Sequence, residues 1–180
     1  MIKKWKILES KELFSSPFIV LKEEKLERSD GKIVYPYYAI ERPDVVYVVA
    51  LTRSDELVLV SQYKNGVRKV ILELPAGFIG DKEDPASAAR RELLEETGYS
   101  AKEFLQLGKF NSGSGLSRNN NYFFLARDAE KTAEQNLDDN EEIEVKTEPY
   151  FSVLTKIKGG KGFLPEVQSQ LGILLTENYL

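Results

Sequence analysis

The stretch "GFIGDKEDPASAARRELLEETGY", residues 77 to 99, decides how the rest of the chain is read. Asp84 has the short carboxylate of a helix N-cap, and Pro85 suits the first helical position because its missing N–H would have had no intrahelical partner. Gly98 stands where a left-handed C-cap is expected, so the punctuation predicts a helix from Pro85 to the residue before Gly98. Within it Ala86, Ala89 and Leu93 recur at i, i+3 and i+7 with Leu94 beside them, a narrow apolar stripe that lets a helix approach a sheet closely. The polar side raises a question. Glu92 and Glu96 lie one turn apart with Glu95 nearby, and like charges at that spacing repel by roughly a few tenths of a kcal/mol. Such a face is ordinarily just solvated, unless a divalent cation converts the repulsion into ligation.

Working outward, "VVYVVAL" at 45 to 51 is nearly continuously apolar and β-branched, the pattern of a strand buried on both faces, and "LVLVSQY" after the turn "TRSDE" reads as its partner. "VILELPAG" at 70 to 77 reads as a further strand, broken by Pro75 and Gly77 and running into a loop. Earlier, "FIVLKEEKLERSDGKIVYPYYAIER" holds two alternating segments joined at Ser29-Asp30-Gly31, a hairpin signal, with Pro36 making the second an edge or bulged strand. Downstream, "NYFFLA" at 121 to 126 and "IEVKT" from 143 are strand-like, and Val167, Leu171, Leu174 and Leu175 mark a C-terminal helix. Between them "EKTAEQNLDDNEE" at 130 to 142 lacks apolar periodicity and reads as a long acidic loop, a feature often functional or mobile. Strands before, between and after helices predict an α/β fold with a mixed sheet covered by helices. A chain of 180 residues has room for one such domain and a small N-terminal extension.

Composition narrows the chemistry. The chain has no cysteine and no histidine, so thiol chemistry is excluded and the commonest zinc ligand and general base are missing. A metal site must be built from oxygen ligands, which suits Mg²⁺, Mn²⁺ or Ca²⁺, and a general base must be a carboxylate, Lys or Tyr. A net charge of −4 offers no basic surface, so no nucleic-acid partner is expected. No apolar stretch is long enough to span a bilayer and "MIKKWKILES" lacks an apolar core, so the reading is a cytoplasmic protein without a membrane partner.

Gly77, Glu83, Arg91, Glu92, Glu95, Glu96 and Gly98 together stand at the spacing of the Nudix box, and the chain resembles the Nudix hydrolase superfamily. Those seven identities would coincide by chance on the order of once in a million sequences of this length. The one departure within the box is Tyr99, where the family usually has an aliphatic residue that packs. The resemblance implies a Nudix-type α/β/α sandwich over residues 43–180, with an N-terminal antiparallel β extension over 1–42. It implies metal-assisted phosphoanhydride hydrolysis, with Mg²⁺ (or Mn²⁺) held by Glu92, Glu96 and the backbone carbonyl of Ala76. Arg91, spaced i,i+4 from Glu95, holds the network by charge-assisted pairing, and Glu83 serves either as an outer ligand or as the orienter of Arg91.

The likeness extends beyond the box. "QYK" at 62 to 64 and "ELPAG" at 73 to 77 resemble the ADP-ribose pyrophosphatase branch, in which an Arg usually stands at the place of Lys64. Lys64, Arg68 as its substitute, and Glu73 are accordingly expected at the substrate. The branch places its catalytic base in the loop aligned with "DDNEEIEV", which makes Glu141 and Glu142 the candidates with Asp139 behind them. It also carries a proline where this chain has Ser114, within "NSGSGLSRNN"; that departure weakens ADP-ribose as the particular substrate and leaves other nucleoside diphosphate sugars open. Ser112, Ser114, Ser117, Arg118 and Asn119 are the contacts this loop could offer to sugar or phosphate. Branch members are commonly homodimers whose N-terminal strands cross to the partner, which assigns Trp5 to stacking on the base. Two rival readings stand beside this one. They are a Nudix-fold nucleotide-sensing module without turnover, and a Nudix hydrolase of dinucleotides or capped RNA.

Overall fold

In a computed structural model, which describes residues 1–160 and 162–180, alternation and turn chemistry shape the N-terminal strands as expected. β1 (Lys6–Ser16), β2 (Ile19–Glu27) and β3 (Ile33–Glu41) form an antiparallel sheet in that order. β3 is an end strand with a cis Tyr35–Pro36 bond and a register shift opposite it between Glu24 and Leu26, so the strand with Pro36 is both edge and bulged. These strands and residues 110–121 make one compact unit, residues 1–44 plus 110–121. Inside it the Ile40 N–H donates to Leu116 O at 2.8 Å and the Arg118 N–H to Ile40 O at 2.9 Å.

The second unit, residues 45–109 plus 122–180, is built around the apolar run at 45–51. Its elements, apart from Phe110 and Asn121 at the ends of β9 and β10, are β4 (Val45–Leu51), β5 (Glu56–Lys64), β6 (Lys69–Glu73), β7 (Ala76–Phe78), α1 (Pro85–Thr97), β8 (Tyr99–Ser100), β9 (Glu103–Phe110), β10 (Asn121–Arg127), β11 (Glu130–Lys131), β12 (Ile143–Pro149), α2 (Tyr150–Lys158) and α3 (Val167–Thr176). A mixed seven-stranded sheet runs β12-β5-β4-β10-β9, with β6 on β5 and β7 on β4. β4 is apolar throughout because each of its faces meets a helix layer. Val46, Val48 and Ala50 pack with Ala88, Ala89 and Leu93 of α1, while Tyr47, Val49 and Leu51 pack with Val153 of α2 and Ile173 of α3. This is the α/β/α sandwich of the expectation.

Several expectations need correction. Leu94 is exposed rather than part of the apolar stripe, and the buried side of α1 is Ala88, Ala89, Glu92, Leu93, Glu96 and Thr97. In α3, Val167 and Leu174 are exposed while Ser169, Gly172, Ile173 and Thr176 are buried. Small polar residues read as solvent-facing, yet here their hydroxyls are satisfied inside: Ser169 Oγ accepts from the Leu74 N–H at 3.0 Å and Thr176 donates to Gly172 O at 3.0 Å. Pro75 does not lead straight into a loop, because the next residues re-enter the sheet as β7, with Gly77 opposite Val46. β1, β9 and α2 had no signal strong enough to announce them.

Candidate active site

α1 carries the site, and its ends are held as the punctuation predicts. Asp84 Oδ1 accepts from the N–H groups of Ala86 and Ser87, both at 3.1 Å, and Gly98 takes φ 73°, the left-handed conformation that side chains disfavour. So fixed, α1 lays Glu92 and Glu96 against the sheet, 9% and 3% exposed, which rules out a merely solvated acidic face for these two. Gly77 of β7 makes this approach possible. A Cβ there would lie 2.1 Å from the carboxyl carbon of Glu92, so only a hydrogen fits. The Ala76 N–H donates to Glu96 Oε2 at 2.9 Å, tying the second carboxylate to the same strand.

Arg91 gathers the remaining charges. Its Nε and Nη2 grip both oxygens of Glu83 at 2.9 Å, its Nη1 reaches Glu92 at 2.8 Å and Glu95 at 3.0 Å, and its Nη2 also donates to the Phe78 carbonyl at 3.0 Å. The guanidinium holds the Glu83 carboxyl below the usual carboxylate range, and Glu83 in return raises Arg91. Glu92 and Glu96 go the other way. Burial pushes both carboxyls up, Glu96 far up, and the charge of Glu141 adds to both. Arg91 therefore serves a cluster of acids, and the two most buried of them are the ones that burial raises.

The flanking candidates fall at different distances from this centre. Lys64 Nζ lies 2.8 Å from Glu73 Oε1, which also accepts from Gln62 Nε2 at 2.7 Å; Glu73 is buried, and burial raises its carboxyl. The positive charge of Lys64 also acts on Glu96. Arg68 is exposed in the turn between β5 and β6. Glu141 and Glu142 are exposed, Glu141 accepting from the Asp138 N–H at 3.0 Å. Arg118, Ser114 and Trp5 belong to the N-terminal unit. There Arg118 is bound to Glu24 and Glu41 at 2.7 Å each, Ser114 is exposed, and Trp5 lies under the Arg28 guanidinium at 5.9 Å. Ser112, Ser117 and Asn119 tie their own loop together: Ser117 donates to the Asn119 side chain, and Asn121 to Ser112 at 2.9 Å.

Among the described residues no three acidic side chains already converge as a cation cage. The donor chemistry nonetheless fits a hard divalent ion. Glu92 and Glu96 are buried oxygen donors on one helix edge, held beside the backbone of β7, and burial raises both carboxyls. Reading the sequence missed Gln62, the Phe78 carbonyl and Gln135, whose amide donates to the Glu96 carbonyl at 2.7 Å. Gln62 stands in β5 as part of the quoted QYK without a role of its own, Gln135 is a lone polar residue in a polar loop with no periodic signal, and a carbonyl carries no residue type at all.

The chain matches the NUDIX domain over residues 41–162 and the nucleoside diphosphate sugar hydrolase N-terminal domain over residues 5–40. It is 32% identical over 141 residues to an ADP-ribose pyrophosphatase of Bacillus subtilis (strain 168), covering 78% of this chain and 76% of that one. With the same coverage it is 29% identical to a methanol dehydrogenase activator of Bacillus methanolicus. The crystal structure of an ADP compounds hydrolase shares the fold, with a TM-score of 0.85 at 23% identity over 100% of this chain and 96% of that one. Hydrolases of this family generally need divalent metal ions. The chain belongs to the Nudix hydrolase family, in its nucleoside diphosphate sugar hydrolase branch.

Proposed function

We propose that this enzyme hydrolyses the diphosphate linkage of a nucleoside diphosphate sugar, ADP-ribose or a hexose relative, to a nucleoside monophosphate and a sugar phosphate. The observation that carries the reading is the pair Glu92 and Glu96, buried one turn apart on α1 and held against β7 at Gly77 and the Ala76 N–H. These two and the carbonyl of Ala76 would hold Mg²⁺, with Mn²⁺ as its replacement. When bound, the ion neutralises the diphosphate and acidifies a bound water. The chain's own residues do the rest. Arg91, clamped by Glu83, fixes the rotamers of Glu92 and Glu95. Lys64, anchored on buried Glu73, and Arg68 offer positive charge to the phosphates, Lys64 as a point charge rather than a fork. Glu141 takes the proton from the attacking water, favoured over Glu142 because its charge already acts on Glu92 and Glu96.

Ser114 and Trp5 supply sugar and base contacts in a homodimer working in the cytoplasm, while Arg118 is spent on Glu24 and Glu41. β1 supports the dimer, being exposed from Lys6 to Ser15 with Ile7, Leu8, Leu13 and Phe14 uncovered. Light scattering that finds a monomer would remove it. Among the described residues no helix is long and apolar enough to cross a membrane.

The test of function is turnover of the purified protein with Mg²⁺ on ADP-ribose, GDP-mannose, UDP-glucose, NADH and diadenosine polyphosphates, with products separated by chromatography. Release of a nucleoside monophosphate from a nucleotide sugar is expected, and Glu96→Gln should lower kcat by at least about a hundredfold while the protein stays folded. Full activity in that variant would sink the metal assignment. Tight nucleotide binding without any Mg²⁺-stimulated product would instead favour a sensing module.

A further inference from the structure

One side chain braces the turn that carries Glu141. Gln135, half-buried near the middle of the acidic loop, spends both N–H groups of its amide: Nε2 donates to the Glu96 carbonyl at 2.7 Å and to the Ile143 carbonyl at 3.1 Å. Glu96 ends the acidic edge of α1, and Ile143 begins β12 directly after Glu141 and Glu142. One nitrogen thus ties the helix that bears the buried carboxylates to the strand that follows the acidic turn. Both partners are carbonyl oxygens, so the amide must present its nitrogen. Among uncharged side chains only the amides of Asn and Gln carry two donors on one atom.

Within its surroundings this tie is the side-chain brace that joins the two ends of the turn. On both sides of Gln135 the chain is pinned to the end of α1: before it the N–H groups of Thr132 and Ala133 donate to Gly98 O at 2.9 and 3.1 Å, and directly after it that of Asn136 donates to Glu95 O at 2.9 Å. A Cβ on Gly98 would stand 2.2 Å from Ala133 O, so the loop is seated as close as a glycine allows. After it, Ile143 is buried and paired with Gln62 of β5. Between the two anchors, the bonds of the turn are local, Glu141 N–H to Asp138 O at 2.9 Å and Asp138 N–H to the Glu141 carboxylate at 3.0 Å. They shape the turn without fixing where it stands.

We propose that Gln135 is a positioning residue, whose amide closes residues 136–142 into a fixed loop and sets the place of Glu141 against the Glu92 and Glu96 edge. The proposal rests on Glu141 acting as the base. It is tested in the full-length enzyme with Mg²⁺ by comparing Gln135→Met, which keeps the length and removes both donors, with Gln135→Lys, whose ammonium has reach and donors enough for both carbonyls. Two measurements are made: kcat and KM on the nucleotide sugar that the wild type turns over, and amide hydrogen exchange over 136–142 without substrate. Gln135→Met should exchange faster across that segment and lose about ten- to a hundredfold in kcat, with KM within about twofold of wild type. Gln135→Lys should recover much of both. A general loss of structure would instead raise exchange in β4 and β10 as well. Wild-type exchange over 136–142 in Gln135→Met overturns the tether, and wild-type kcat despite faster exchange overturns its role in catalysis. Undiminished turnover in Glu141→Gln would defeat the proposed base, and the catalytic part of the proposal with it; the exchange result judges the tether independently.

Discussion

Two arginines in this chain do similar work with different outcomes. Arg118, in the N-terminal unit, grips the buried Glu24 and the partly exposed Glu41 at 2.7 Å each, and Lys22 adds a second cation to Glu41 at 2.7 Å. Cations match carboxylates there, and Lys22 followed by Arg118 holds the Glu41 carboxyl below its ordinary range. Arg91, in the other unit, meets Glu83, Glu92 and Glu95 with Glu96 behind them, and the buried members are pushed up instead of down. A balanced network is scaffold. An unbalanced, buried one is poised for a cation or an anhydride-cleaving centre to complete it, since burying uncompensated charge is tolerated where function requires it.

The contrast can be broken at its tightest point first. Gly77→Ala places a methyl into the Glu92 carboxylate, the far end of a side chain that must swing aside, so it should lower kcat by more than about a hundredfold while moving the unfolding temperature little. A fully active Gly77→Ala enzyme would show that Glu92 does not need its present place. Next, Arg118→Ala leaves Glu24 buried without its guanidinium, with the Ser10 hydroxyl at 3.3 Å still donating to it. Thermal or urea unfolding should show a loss of about 2–4 kcal/mol, with KM unchanged well below the transition. Unchanged stability with a raised KM would make Arg118 a substrate contact rather than a clamp.

The smallest effect follows from the raised carboxyls. A group whose folded pKa lies above its unfolded value contributes stability that is fully present below the unfolded value, 4.5 for Glu96, and is lost as pH rises through the folded one. Metal-free protein should therefore become less stable relative to Glu96→Gln as pH rises above about 4.5. The variant keeps an oxygen for the Ala76 N–H and loses the charge, so its unfolding temperature should exceed the wild type's by a few degrees near neutral pH. Identical pH profiles would mean that the buried charge is already compensated.

Much of this was legible before any coordinates. Asp84, Pro85 and Gly98 mark the ends of α1 because caps obey local backbone chemistry, and β4 is readable because a strand buried on both faces has no polar side to confuse it. The acidic edge was legible as a spacing of residue types. What escaped is what tertiary contact decides. The side of α1 that is buried turns on Ala88 rather than Leu94, since close approach to the sheet favours a small residue over a long one. α3 buries Ser169 and Thr176 because their hydroxyls are satisfied, Thr176 by Gly172 one turn back in the same helix and Ser169 by Leu74, a partner far along the chain that no periodicity scheme knows of. Arg118 reads as a ligand for phosphate until Glu24, distant in sequence, is seen beneath it. Gln135 has no signature beyond being one polar residue among many.

The most direct measurement is the unfolding temperature of the metal-free protein as Mg²⁺ is titrated, in the wild type and in Glu96→Gln. If the surplus charge of Glu92 and Glu96 is what a divalent ion completes, Mg²⁺ should raise the wild-type midpoint progressively with concentration, as ligand binding to the folded state requires. It should move the variant, which begins higher, by much less. An equal rise in both proteins, or none in the wild type, would contradict the account.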